Sequence, residues 1–279
     1  MSKRCVLVGI NYFGTNAQLN GCINDINNVR GVLLNNCGYN AQNMRVLTDD
    51  PKNPMRPTRK AMEDAIKWLV TGAKAGDTLF FYFSGHGSQI KDTAAGDETD
   101  GMDEVLVPLD YQRSGVITDD WLNANLVAQV PSGATLYAFT DCCHSGTMCD
   151  LKYNVSCEAT YTKGSFPKNT PYNAADWTDK FSFTTEKRGD TLGTVILFSG
   201  CRDPLTSADA FINGQGQGAF THCLLSYIRS SMTPDNKIRP RTVGDMLKEI
   251  NCNLIIQGYS QRSQLSVGRI GDINIRFNP

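Results

Sequence analysis

Asp77-Thr78-Leu79-Phe80-Phe81-Tyr82-Phe83-Ser84 runs directly into Gly85-His86-Gly87. Aromatic and aliphatic side chains fill the run and its polar residues lie at the ends, the composition of a strand covered on both faces. Strands covered in this way belong to sheets with helices on either side, so the octapeptide implies a central strand of an α/β layer structure. A second such run, Ala134-Thr135-Leu136-Tyr137-Ala138-Phe139-Thr140, leads into Asp141-Cys142-Cys143-His144-Ser145-Gly146.

Outward from these two strands, strand-like and helix-like segments alternate, the pattern of a mostly parallel sheet with helices on both faces. Arg4–Ile10 reads as a first buried strand and Met44–Leu47 as a short second one. Between them Ile26, Val29, Val32 and Leu33 recur at helical spacing, which predicts a helix over Asn24–Leu34. Pro57 and Thr58 open another helix, with Ala61, Ala65, Trp68 and Leu69 expected to face inward and Gly72 near its end. Thr118 caps a helix that carries Asp119 and Asp120 in its first turn, where carboxylates suit the positive end of the helix dipole. Val195–Ser199 resumes the sheet, Ala219–Ile228 and Val243–Ile256 are helical, and Ile273–Phe277 is expected to close the fold. From about 151 to 193, polar residues, Pro167, Pro171 and several lysines replace the apolar periodicity, and the segment reads as a long polar loop. All 279 residues are expected to form one domain.

Hydrophobic residues make up 41% of the chain and the net charge is −1, so no global field draws it to nucleic acid or anionic lipid. Neither kind of partner is expected. The apolar run after Lys3 and Arg4 stops at Asn11, too short for a secretory core, and no stretch reaches the roughly 18 apolar residues of a membrane span. Cys5, Cys201, Cys223 and Cys252 sit inside apolar segments, where a reduced thiol behaves as a small hydrophobe. A reducing, cytoplasmic location follows as the expectation, with entry to the nucleus left open.

In open parallel sheets the loops leaving the carboxyl ends of strands converge on a crevice. Two strong strands here end in His86 and in the Cys142-Cys143 pair. The chain has three histidines. His222 falls on an otherwise apolar helix and reads as a structural, hydrogen-bonded residue. His144 adjoins Cys143, and neighbouring side chains in extended backbone point apart. His86, flanked by Gly85 and Gly87, is the candidate base; the bland reading is a turn histidine. Cys142 and Cys143 alternate in direction, so one of the two faces the crevice, and a reactive thiol needs exposure and a proton acceptor. With Cys143 as nucleophile, its own backbone N–H and that of Gly87 form a candidate oxyanion hole. The competing reading is a buried cysteine pair. No Cys-x-x-Cys spacing exists to clamp zinc or exchange disulfides, and no Arg follows Cys143 as far as Cys149 to make an anion-binding loop.

Over nearly its whole length the chain resembles a type I metacaspase, a relative of caspases and legumains. The likeness is carried by Tyr82-Phe83-Ser84-Gly85-His86-Gly87-Ser88, Asp141-Cys142-Cys143-His144-Ser145-Gly146, Ser199-Gly200-Cys201-Arg202-Asp203, Thr206-Ser207-Ala208-Asp209 and Gly218-Ala219-Phe220-Thr221, in family order. It implies a caspase-like three-layer α/β/α sandwich and a cysteine endopeptidase with a His86–Cys143 dyad; alignment on His144-Ser145-Gly146 selects Cys143 although the family has Ser where Cys142 stands. It implies cleavage after Arg or Lys, with Asp25 and Asp141 as the acidic residues of the first pocket and Cys22 and Ser84 lining it. For Asp25 a helix N-cap remains an alternative. It further implies activation by Ca²⁺ through Asp103, Asp119, Asp120 and Asp150, whereas the acidic run Asp97–Glu104 read alone is a solvated loop without EF-hand spacing. Protein or peptide substrates with a basic residue before the cut, a monomeric state, and self-cleavage at Lys152, Lys163, Lys168, Lys180 or Lys187 complete what the likeness implies.

Overall fold

The computed structural model describes residues 1–91, 102–142, 148–164, 171–200, 209–212 and 215–279, with the backbone alone at 209–212 and 215. Its strands are β1 (Lys3–Gly9), β2 (Met44–Thr48), β3 (Thr78–Ser84), β4 (Gly87–Lys91), β5 (Met102–Leu106), β6 (Ile117–Thr118), β7 (Thr135–Asp141), β8 (Tyr153–Tyr161), β9 (Trp177–Thr185), β10 (Thr194–Ser199), β11 (Asp209–Ile212), β12 (Gln215–Gly218) and β13 (Gln264–Val267). Its helices are α1 (Cys22–Asn36), α2 (Arg59–Val70), the single turns α3 (Tyr111–Ser114) and α4 (Asp119–Leu122), α5 (Ala219–Ser230) and α6 (Val243–Ile256).

Eight strands form the central sheet in the order β2-β1-β3-β7-β10-β13-β8-β9. From β2 to β10 the neighbours run parallel; β13, β8 and β9 extend the sheet antiparallel. Alternation along each strand sends side chains into two cores. Leu79, Phe81 and Phe83 face a core closed by α2 through Met62, Ile66 and Leu69. Phe80 and Tyr82 face the other, where α1, α5 and α6 contribute Ile26, Leu224 and Leu247. Helices thus cover both faces, and the expected α/β/α sandwich with a mostly parallel sheet is what the chain forms.

Three expectations need correction. The inward stripe of α2 is Met62, Ala65, Ile66, Leu69 and Val70; Ala61 and Trp68 are only half-buried. Trp68 instead lies under the Arg45 guanidinium, 4.4 Å from ring centroid to Cζ, where a flat indole and a cation attract. The polar segment 151–193 is no loop: it contributes β8, which pairs with β13, and the edge strand β9, the two in continuous antiparallel register from Tyr153↔Thr185 to Tyr161↔Trp177. Val155 and Cys157 of β8 turn into the core, while β9 is exposed along most of its length, so a polar composition is what an edge strand requires. Ile273–Phe277 is no strand either. Its start belongs to a 3₁₀ turn over Ile270–Asn274, and Phe277 packs edge-on against Tyr137, 5.1 Å between ring centroids; β13 provides the last strand of the sheet.

Candidate active site

β3 and β7 are parallel neighbours whose final residues are paired, Ser84 with Asp141. Gly85 N–H donates to the Asp141 carbonyl at 3.4 Å and extends the pairing by one step. His86 stands two positions beyond Ser84, and Cys143 two positions beyond Asp141. The nucleophile expected at Cys143, its share of the oxyanion hole, and His144 lie outside the described residues. Cys142 is fully buried in the α2-side core, the place of a structural thiol.

His86 is half-buried. Its Nε2 lies 2.7 Å from the carbonyl oxygen of Ala17. A carbonyl only accepts, so Nε2 carries the proton and Nδ1 is the nitrogen left to take one up. Sequence reading found no orienting partner for this ring, because the partner is a main-chain oxygen and side-chain patterns do not reveal one. Gly87 opens β4 immediately after His86.

Beside these strand ends lies a pair of buried carboxylates. Asp25 is fully buried in the first turn of α1, and the residue preceding that helix is Gly21, so Asp25 is not its N-cap. Its Oδ2 accepts from Ser84 Oγ at 2.8 Å, and Gly218 N–H donates to both its oxygens at 3.1 and 3.2 Å. Asp141, 5% exposed, accepts through Oδ2 from Thr221 N–H at 3.0 Å and from Thr221 Oγ1 at 2.6 Å. Since Thr221 spends its hydroxyl proton on that carboxylate, Tyr82 OH donates to Thr221 Oγ1 at 2.7 Å. Cys22, 6% exposed, opens α1. The four residues expected in one pocket thus come from three strand or helix termini at the same edge of the sheet.

Gly218 and Thr221 have no role in the sequence reading, although they stand in a quoted motif. Gly218 precedes α5, and a Cβ there would fall onto the Asp141 carboxylate and 3.0 Å from Asp25 Oδ2. Gly218→Ala is therefore expected to cost about 1–3 kcal/mol through overpacking against two immobile carboxylates. At roughly 2–4 °C per kcal/mol for a chain of this size, calorimetry should record a midpoint several degrees lower. Gly31→Ala, in α1 with open space around it, is expected to raise the midpoint instead.

A second acidic group sits on the α2 side. Asp119 caps its own surroundings: Oδ2 accepts from Glu104 N–H at 2.7 Å and Oδ1 from Asp120 N–H at 2.8 Å. Burial, then the charges of Asp150 and Glu104, push the Asp119 carboxyl up to about 9. Arg188 Nη2 bridges Asp120 Oδ1 at 2.9 Å and Asp150 Oδ2 at 2.8 Å. Asp150 has φ 46°, a left-handed conformation uncommon for any residue but glycine. Asp103 is buried on β5 just before Glu104. Asp119, Asp120 and Asp150 thus come together, whereas Glu104 and Arg188 are members that sequence spacing could not show. Among the described residues no three such ligands converge closely enough to hold a metal ion in this arrangement.

Parallel strands that bring a glycine-flanked imidazole and the Asp141-Cys142 end of β7, with Cys143 next in sequence, to one edge of an α/β/α sandwich point to a class, the cysteine peptidases built on an open sheet. A family model for the metacaspase, peptidase C14 domain matches residues 3–152. Metacaspase-1 of Mycosarcoma maydis is 36% identical over an alignment spanning 99% of this chain and 72% of its own length, and Metacaspase-1 of Kluyveromyces lactis is 35% identical over 99% and 68%. A solved protein of Geobacter sulfurreducens, 21% identical, superposes with a TM-score of 0.65 over 99% of this chain and 98% of its own, a likeness of fold alone. The chain belongs to the metacaspase family and is a cysteine peptidase.

Proposed function

We propose that this peptidase cuts protein chains after Arg or Lys with Cys143 and His86, and that Ca²⁺ at Asp103, Asp119, Asp120 and Asp150 activates it. The observation that carries the basic preference is the pair of buried carboxylates, Asp25 and Asp141, gathered around Gly218 at the strand ends. A guanidinium entering that pocket meets fixed acceptors, and a buried cation needs such a partner. The Cys143 thiolate attacks the carbonyl after the basic residue, and the amide N–H groups of Gly87 and Cys143 receive the oxyanion. His86 takes the thiol proton on Nδ1 and gives it to the leaving amine; water then releases the acyl group. An Arg-terminated fluorogenic peptide, assayed with and without Ca²⁺ and with Cys143→Ala as control, tests this reading.

For calcium, the donor chemistry fits: several carboxylates from separate elements, β5, α4 and the stretch at Asp150, with the Asp119 carboxyl raised by burial and then by the charge of Asp150. These residues would hold a hard cation that draws their elements together. Arg188 is the internal competitor, because its guanidinium already spans Asp120 and Asp150. Arg188→Ala is therefore expected to lower the calcium dissociation constant about tenfold, read by titration calorimetry on the Cys143→Ala protein. An unchanged or weakened affinity would contradict competition.

Displacing Arg188 also frees its neighbours. Lys152 is paired with Asp190, Lys163 with Asp176, and Lys180 lies within β9 opposite Glu158. Lys168 lies outside the described residues. Lys187 is exposed in the irregular stretch after β9, which makes it the preferred self-cleavage site of the five. Protein that stays intact in Ca²⁺ while cutting peptides would count against self-processing. We further assign it to the monomeric state and a reducing compartment.

A further inference from the structure

We infer that Tyr12 is a positioning residue for His86 and that the buried carboxylate of Asp49 holds Tyr12 in place for that task. The inference rests on the proposed role of His86 as the proton-transfer group.

Tyr12 has φ 52°, in the left-handed region, where a bulky aromatic residue is a genuine outlier. Asp49, 2% exposed just after β2, accepts from the two amides flanking it: Asn11 N–H at 2.8 Å and Phe13 N–H at 3.2 Å. One carboxylate thus closes the turn around Tyr12 from both sides. The side chain, 1% exposed, is thereby aimed at the start of the His86 loop.

Its hydroxyl is fully committed there. It donates to the Val107 carbonyl at 2.7 Å and accepts from His86 N–H at 2.9 Å, while Val107 N–H donates to the His86 carbonyl at 3.1 Å. Both peptide groups of His86 are therefore tied to Val107, one of them through Tyr12. The rings meet at 4.7 Å with a 44° tilt. The oxygen that accepts from Nε2 belongs to Ala17, in the same loop: Thr15 Oγ1 donates to the Tyr12 carbonyl at 2.8 Å and accepts from Ala17 N–H at 3.2 Å. Gly85 leaves the space this needs, since a Cβ there would lie 3.0 Å from the Tyr12 hydroxyl. Burial also pushes the phenol well above its ordinary range, so it stays a donor at physiological pH.

A residue that merely filled the core would need only the ring. Tyr12→Phe keeps the ring and removes the hydroxyl, so it separates the two roles. In the calcium-loaded protein, kcat on an Arg-terminated peptide is expected to fall about tenfold or more with KM within twofold. In a Cys143→Ala background, long-range ¹H–¹⁵N NMR should show His86 as the Nε2–H tautomer, and Tyr12→Phe should convert that signal to a mixture of tautomers. Asp49→Asn is expected to shift the same signal in the same direction, and it stands in for Tyr12→Phe should the latter not fold. Tyr39→Phe, a buried tyrosine remote from the site, is the control and should change neither readout. An unchanged tautomer in Tyr12→Phe, or in Asp49→Asn as its substitute, overturns the inference, as does a loss of kcat that only follows the folded fraction. Wild-type protein that fails to cut the Arg peptide would sink the proposed specificity instead, and the NMR comparison would still decide the role of Tyr12.

Discussion

Cys143→Ala is expected to lower kcat/KM on an Arg-terminated peptide by at least about 10³-fold, because removing a nucleophile leaves only binding and oxyanion stabilisation. His86→Ala is expected to cost about 10²–10⁴-fold, the usual worth of a positioned proton-transfer group. Both variants should melt near the wild-type temperature. Cys142→Ala should do the reverse: its thiol is sealed in the core, so the expected cost is about 1 kcal/mol of stability with kcat little changed. Assays of the three variants side by side therefore assign the nucleophile. Retained activity in Cys143→Ala together with loss in Cys142→Ala would transfer the role to Cys142 and end the His86–Cys143 dyad.

Asp25→Asn is expected to reduce kcat/KM for an Arg-terminated peptide by about 10²–10³-fold while leaving a citrulline-terminated peptide within a fewfold of wild type. The substitution keeps the shape and an acceptor for Ser84 or Gly218 but removes the charge. A buried ion pair that loses one partner costs about 3–5 kcal/mol, and each 1.4 kcal/mol is a factor of ten. Asp141→Asn should show the same discrimination, since an amide oxygen with two lone pairs can still accept from both Thr221 N–H and Oγ1 while the charge is lost. The ratio between the two peptides is the informative quantity, because a general loss of folded enzyme lowers both alike. An Arg-to-citrulline ratio that survives in both variants would place basic recognition elsewhere.

The parallel part of the sheet was legible because its strands are buried on both faces and cannot be written in polar residues; β3 and β7 came within a residue of their expected ends. β8 and β9 were not, since a pair at the sheet edge keeps much of its surface wet and the period-two signal of β8, Val155 and Cys157 followed by Ala159 and Tyr161, alternates with Asn154, Ser156, Glu158 and Thr160. The site divides along the same line. His86 stands out as one of three histidines, directly after a strand end, and Cys143 follows another, whereas Asp25 and Asp141 are marked by the family likeness. No such signal marks a role for Gly218, Ala17 or Tyr12.

Local composition and periodicity settled the layered α/β architecture, the places of its buried strands along the chain and the residue types available for chemistry, because burial is a property each segment carries alone. Which oxygen orients the imidazole, which amides hold the pocket carboxylates and which arginine spans Asp120 and Asp150 were decided by the folded chain. Those contacts join residues as far apart as Asp25 and Gly218, and hydrogen-bond geometry at such separations arises only when the whole sheet has formed.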